Sequence, residues 1–168
     1  TLRTGGRAEA YFRPADTADL RRALARCREQ DMPWRVLGGG SNLLVEDGVL
    51  PGALLHIHAP TFSDITPTDG GVRVGAGAPV GRVLNRCKRQ GLGGLEFLAG
   101  LPGTVGGAVA GNAGAWGKSV GECLRSVTVM DADGREQHLP AEELDMAYRH
   151  GGLEGMIVTA AELTVEPR

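Results

Sequence analysis

Apolar residues recur with helical spacing at Leu20, Ala23, Leu24 and Cys27, and again at Val80, Val83, Leu84 and Cys87. The first stripe predicts a helix that starts after an Asp16 or Thr17 cap and runs to about Gln30. Pro14-Ala15-Asp16 breaks the strand expected at Glu9–Arg13 ahead of it. The second stripe predicts a helix with Pro79 in its first turn and Gly91 as its stop. Cys27 and Cys87 fall on the apolar stripes and are read as buried. Arg21, Arg22, Arg26 and Arg28 lie mostly off the first stripe, as a solvated face would.

Shorter apolar runs predict strands at Trp34–Leu37, Leu43–Val45, Ala53–His58, Ser126–Met130 and Met156–Val165. Hairpins are expected at Ile65–Thr68 with Val72–Ala76, around Asp69-Gly70-Gly71, and at Ser126–Met130 with Glu136–Leu139, around Asp131-Ala132-Asp133-Gly134. Short helical turns are expected at Val105–Ala110 and Pro140–Leu144. Isolated helices mixed with hairpins imply an α+β fold, not a doubly wound sheet.

Composition sharpens this through one residue type. Glycine makes up 27 of the 168 residues, more than twice the usual share of roughly 7%. None lies between Arg7 and Leu37, whereas glycines crowd residues 91–121 and the run Gly38-Gly39-Gly40. There is no period of three, which excludes collagen. Net charge is −2 with 4% aromatics, no footprint for nucleic acid. No apolar run nears the roughly 18 residues of a membrane-spanning helix. Three cysteines without a CxxC pair read as reduced thiols of a cytoplasmic protein. The chain opens at Thr1 with no initiator Met and is read as trimmed.

Three glycine segments are candidates for chemistry. Gly38, Gly39, Gly40, Ser41 and Asn42 follow a strand, so their N–H groups can converge on an anion; a tight turn is the alternative. This is no dinucleotide fingerprint, because Leu43 stands where the third glycine belongs. Asn112–Ser119 nearly spells a P-loop, but Asn112 replaces its first glycine and no strand precedes it. Leu98–Gly117 suits close passage of an extended ligand with a diphosphate, or plain packing. Within it a helix start at Gly106-Gly107 would face an anion, and Asn112 would offer a two-sided amide. His56, His58, His138 and His150 show no metal-ligand spacing.

Several stretches together resemble the UDP-N-acetylenolpyruvoylglucosamine reductase family: Thr1–Gly6, Leu37–Val45, Gly94–Ala108, Asn112–Gly117 and Tyr148-Arg149. They occur in the family's order along the whole chain. The resemblance implies a two-lobed FAD-binding domain of the vanillyl-alcohol-oxidase (PCMH) type, with residues 1–58 as one lobe and 59–168 as the other. It implies that FAD lies between them, held by Gly38, Gly39, Gly40, Ser41, Asn42 and Leu43 on one side. On the other side it implies Pro102, Gly103, Thr104, Gly106, Gly107, Ala108, Asn112, Ala113, Gly114 and Ala115. The first loop ends Gly-Ser-Asn, where some relatives of the wider fold carry a flavin-linked histidine, so FAD is expected to be non-covalent. The implied reaction takes hydride from NADPH and delivers it to the enolpyruvyl group of a UDP-sugar, with Arg149 as the catalytic guanidinium and Tyr148 beside the substrate. Read without the resemblance, Arg149 is better taken as a surface strand arginine, and Tyr148 is equally a half-buried packing residue.

The sequence also departs from the family. Trp116 stands where tyrosine is usual, and His150 follows Arg149 in place of serine. The family's C-terminal substrate domain, with its proton-donating serine and late glutamate, has no counterpart before Arg168. The chain is therefore expected to be the FAD-binding part of a longer reductase. The alternative is a stand-alone FAD or nucleotide-sugar binding module.

Overall fold

The computed structural model describes residues 5–168. Of the Thr1–Gly6 stretch, only Gly5 and Gly6 fall within the described residues.

Strand β1 (Arg7–Phe12) leads into helix α1 (Thr17–Glu29), then β2 (Trp34–Leu37) and β3 (Val49–His56). Asp16 caps α1 by accepting from Asp19 N–H at 2.7 Å, and Asp19 accepts in return from Ala15 N–H. Such a cap is worth about 1 kcal/mol. The predicted stripe Leu20, Ala23, Leu24 and Cys27 is the buried face. The three strands form a parallel sheet in the order β1-β3-β2.

The remaining elements build a second unit: β4 (Ile65–Thr68), β5 (Gly71–Gly75), α2 (Val80–Arg89), β6 (Leu92–Gly93), α3 (Val105–Ala110), β7 (Gly114–Ala115), β8 (Lys118–Ser119), β9 (Leu124–Met130), β10 (Glu136–Pro140), β11 (Ile157–Thr164) and β12 (Glu166–Pro167). Its main sheet is antiparallel in the order β10-β9-β11-β5-β4. Val72, Val74, Val127, Val129, Ile157, Ala161 and Leu163 of this sheet belong to one buried core with Val80, Val83 and Cys87 of α2 and Val105 and Val109 of α3. Both expected hairpins and both expected buried cysteines are present.

Three expectations change. Leu43–Val45 is not a strand; it has no sheet partner, and Leu44 is 82% exposed. The third strand starts at Val49 and ends at His56, because β1 and β2 pair with it only over that range. The arginines of α1 are exposed but not idle. Arg21 donates to Gly134 carbonyl at 2.8 Å, and Arg28 meets Asp133 at 3.3 Å. Both lie in the β9–β10 turn, so α1 is pinned to the second unit.

Candidate functional site

The first glycine loop leaves the end of β2 and lands against the segment that precedes α3. A Cβ on Gly38 would lie 2.5 Å from Thr104 Oγ1, and one on Gly39 would lie 2.9 Å from Gly103 Cα. Ser41 Oγ–H donates to Pro102 carbonyl at 3.1 Å. Only glycine permits this approach of two backbones. Gly40 takes φ +66, the left-handed turn that lets neighbouring amides point one way. Among the described residues, the N–H groups of Gly39, Gly40, Ser41 and Asn42 have no protein acceptor. Unpaired amides of this kind can take an anion.

The facing segment behaves differently. Val80 N–H donates to Gly103 carbonyl at 3.0 Å, Val105 N–H to Ala78 at 2.9 Å, and Gly106 N–H to Ala76 at 2.8 Å. The expected anion-facing start of α3 is therefore corrected: two of its leading amides are spent on the β5–α2 connection. Gly106 is corrected with it. A Cβ there would lie 2.7 Å from Ala76 Cβ, so this glycine packs inward rather than lining a ligand surface.

After α3 the chain turns at Asn112, φ +40, into the β7–β8 hairpin. Trp116 and Gly117 form its two-residue tip with φ +58 and +77, the geometry of a type I′ turn. The near-P-loop is thus a hairpin preceded by a helix. The Asn112 amide also bonds within the chain. Its Nδ2–H donates to Ala147 carbonyl and its Oδ1 accepts from Gly121 N–H, both at 2.9 Å. Both ends of the amide are used within the protein.

Tyr148 and Arg149 occupy a tight turn, not a strand. Ala147 and His150 exchange backbone hydrogen bonds of 2.9 and 3.0 Å around it. Arg149 has φ +57, and its Cζ lies 5.7 Å from the Tyr148 ring centroid. Tyr148 is 89% exposed, which removes the packing reading.

All of these elements border one open cleft of about 950 Å³, near the upper end of the range for ligand sites. Gly38, Gly39, Gly40, Ser41, Asn42 and Leu43 line one wall; Pro102, Gly103, Thr104, Gly107, Ala108, Asn112, Ala113, Gly114 and Ala115 line the other; Tyr148 and Arg149 stand at the same opening. Gly106 alone of the expected site residues is missing from the lining. Val36, Val80 and Leu101 give the cleft an apolar part, and Lys118, Ser119 and Glu122 add polar groups the sequence did not single out. Lys118 and Ser119 had only the failed P-loop as a signal. Among the described residues the lining contains no His or Cys.

The family described as "FAD binding domain" matches residues 8–140. The chain belongs to this FAD-binding domain family. It is 43% identical, over 92% of its length, to UDP-N-acetylenolpyruvoylglucosamine reductase of Heliobacterium modesticaldum, of which it covers 49%. It is 41% identical over 98% of its length to the same-named protein of Prochlorococcus marinus, covering 55% of it. The FAD-binding domain thus spans about half the length of the curated relatives it matches. Among solved structures, UDP-N-acetylenolpyruvylglucosamine reductase of Thermus caldophilus superposes with a TM-score of 0.80 at 34% identity, over 94% of this chain and 56% of that one. The 6-hydroxy-D-nicotine oxidase of Arthrobacter nicotinovorans shares the fold at a TM-score of 0.75 and 18% identity, over 98% of this chain and 38% of that one. The α+β, PCMH-type reading of the FAD-binding domain holds.

The three cysteines lie outside the cleft lining. Burial pushes the thiols of Cys27 and Cys87 up, and that of Cys123 to about 11, so all three stay protonated at neutral pH. His56 sits at the foot of the first glycine loop, bonded through Nδ1 to the Tyr11 hydroxyl and stacked on His58 at 5.1 Å between centroids. Burial, then the charges of His58 and Arg13, hold it below its ordinary 6.5. No helix among the described residues is long and apolar enough to cross a membrane.

Proposed function

We propose that this FAD-binding domain holds FAD non-covalently in the cleft, as part of an NADPH-dependent reductase that converts UDP-N-acetylenolpyruvoylglucosamine into UDP-N-acetylmuramate in the cytoplasm. The observation that carries the reading is the shared opening of the two glycine segments and the Tyr148-Arg149 turn. The residues present fit the cofactor: free amides at Gly39–Asn42 suit a diphosphate, and the apolar part at Val36, Val80 and Leu101 suits a ring system. A lining without His or Cys among the described residues agrees with non-covalent binding.

On this reading lobe 1 is residues 1–58 and lobe 2 is 59–168. Gly38, Gly39, Gly40, Ser41, Asn42 and Leu43 face Pro102, Gly103, Thr104, Gly107, Ala108, Ala113, Gly114 and Ala115 across the cofactor. When bound, FAD supplies hydride transfer from NADPH to the enolpyruvyl double bond. Arg149 holds a fixed positive charge where the substrate carboxylate and its conjugated carbon gain negative charge, an electrostatic role typically worth 10²–10³-fold in rate. Tyr148 shapes the approach of the UDP-sugar beside it. The serine that donates a proton in the family is not assigned to this chain, and Ser119 does not replace it.

Titration of the purified chain with FAD tests the reading. A bound, yellow flavin spectrum is expected, and its absence at saturating FAD contradicts it. In the complete FAD-loaded protein, Arg149→Ala should leave flavin reduction by NADPH intact and slow the substrate-dependent step at least roughly 10²-fold.

A further inference from the structure

The turn that carries Arg149 belongs to a long connection between Leu144 and Met156 that contains no helix or named strand. Its own bonds are local: Ala147 with His150, and His150 Nδ1 with Glu154 Oε1 at 3.1 Å. A turn closed only on itself does not fix where Arg149 points. One side-chain hydrogen bond ties it to the cleft wall, from Asn112 Nδ2–H to Ala147 carbonyl at 2.9 Å. The opposite end of the same amide accepts from Gly121 N–H, also at 2.9 Å. Asn112 therefore joins three segments: the end of α3, the chain after β8, and the Arg149 turn.

The backbone is shaped for this. Asn112 sits at φ +40, a conformation asparagine tolerates better than most residues. Next to the turn, a Cβ on Gly151 would lie 2.5 Å from Val109 carbonyl and 2.7 Å from that of Ala110, so the connection lies directly on the end of α3. Close packing brings the turn to α3, and the Asn112 amide fixes its register there.

We infer that Asn112 is a positioning residue that holds the Ala147–His150 turn, and with it Arg149, over the cleft. The inference rests on the proposed role of Arg149 only for its catalytic consequence. The tether itself is a property of this chain and is read without substrate.

Amide hydrogen exchange provides that reading. Asn112→Asp removes the donor to Ala147 while an oxygen still faces Gly121 N–H. Exchange at Ala147 and His150 should rise roughly 5- to 10-fold, as loss of a single hydrogen bond implies, with Gly121 changed less than about twofold. Asn112→Gly removes both bonds and relieves the backbone, so all three amides should accelerate. Unchanged Ala147 and His150 amides in both variants overturn the inference. So does equal acceleration of core amides such as Ala161, which would mean general loosening.

A second readout separates positioning from mere support. In the complete FAD-loaded protein, Asn112→Asp should slow the substrate-dependent step about tenfold, leave flavin reduction by NADPH within about threefold, and add nothing to Arg149→Ala. Additive losses overturn the inference. If Arg149→Ala alone costs nothing, the reading of Arg149 fails while the exchange result still stands.

Discussion

Two glycine-rich segments face each other across the cleft, and they use glycine for different ends. In Gly38–Asn42 the missing side chains leave backbone amides free among the described residues and allow contact with Gly103 and Thr104. In Thr104–Ala115 the amides are largely spent on the chain itself. Val105 and Gly106 bond to the β5–α2 connection, and Ala108, Gly111 and Ala113 donate to Thr104, Gly107 and Ala108. Gly106 exists for Ala76, and Gly114 for Lys118 carbonyl, 2.4 Å from where its Cβ would be. Glycine in both places reports close approach of backbone to something. On the proposed reading, part of that something in the first loop is a ligand; in the second it is mostly the protein's own interior.

Substitutions at matched glycines should break this symmetry. Gly39→Ala pushes directly on Gly103 backbone and parts the two walls. A displacement costing roughly 2–3 kcal/mol should weaken FAD binding about 30- to 150-fold, while Tm falls by only a few degrees; fluorescence titration and thermal melts read the two effects. Gly106→Ala should do the reverse. Overpacking against Ala76 should cost roughly 1–3 kcal/mol of stability, or about 2–10 °C in Tm, with FAD affinity of the folded protein changed less than about threefold. Equal losses of affinity in the two variants would erase the distinction.

A milder test targets the bond between the walls. Ser41→Ala removes the donation to Pro102 carbonyl, an exposed hydrogen bond worth about 1 kcal/mol. FAD affinity should fall about fivefold, with the melting curve nearly unmoved.

The smallest effect concerns pH. His56 is held below 6.5 in the folded protein by burial and by its neighbours, while the unfolded chain titrates near 6.5. Between those values the unfolded state binds more protons, so stability should drop as pH falls below 6.5 and level off beneath the lowered folded value. His56→Gln should flatten this part of a Tm-against-pH profile. A rise in wild-type stability on acidification from 7 to 5 would contradict the assignment.

Much of this architecture was legible in the sequence. Asp16 and the Leu20–Cys27 stripe predicted α1 closely, and Val105–Ala110 is helical over the predicted range. Local periodicity and capping carry those signals. Leu43–Val45 misled because three apolar residues read as a strand only if a neighbouring strand pairs with them, and none does. The short pairs β6–β12 and β7–β8 depend on distant or turn-driven contacts that apolar pattern does not encode. The walls of the cleft were likewise visible as glycine density and as motif. What each amide bonds to was not, so the bonds that Gly106 N–H and the Asn112 side chain make within the chain were not foreseen. Lys118 had only the failed P-loop as a signal, because its place at the cleft comes from the hairpin, not from its neighbours in sequence.

The central claim is that the free amides of Gly39–Asn42 hold the cofactor's diphosphate. Affinities for FAD and for riboflavin, which lacks the diphosphate, should be measured in the unsubstituted chain, Gly39→Ala and Gly106→Ala. The account predicts a strong preference for FAD that collapses in Gly39→Ala and survives in Gly106→Ala. A preference unchanged in Gly39→Ala, or lost equally in both, would contradict it.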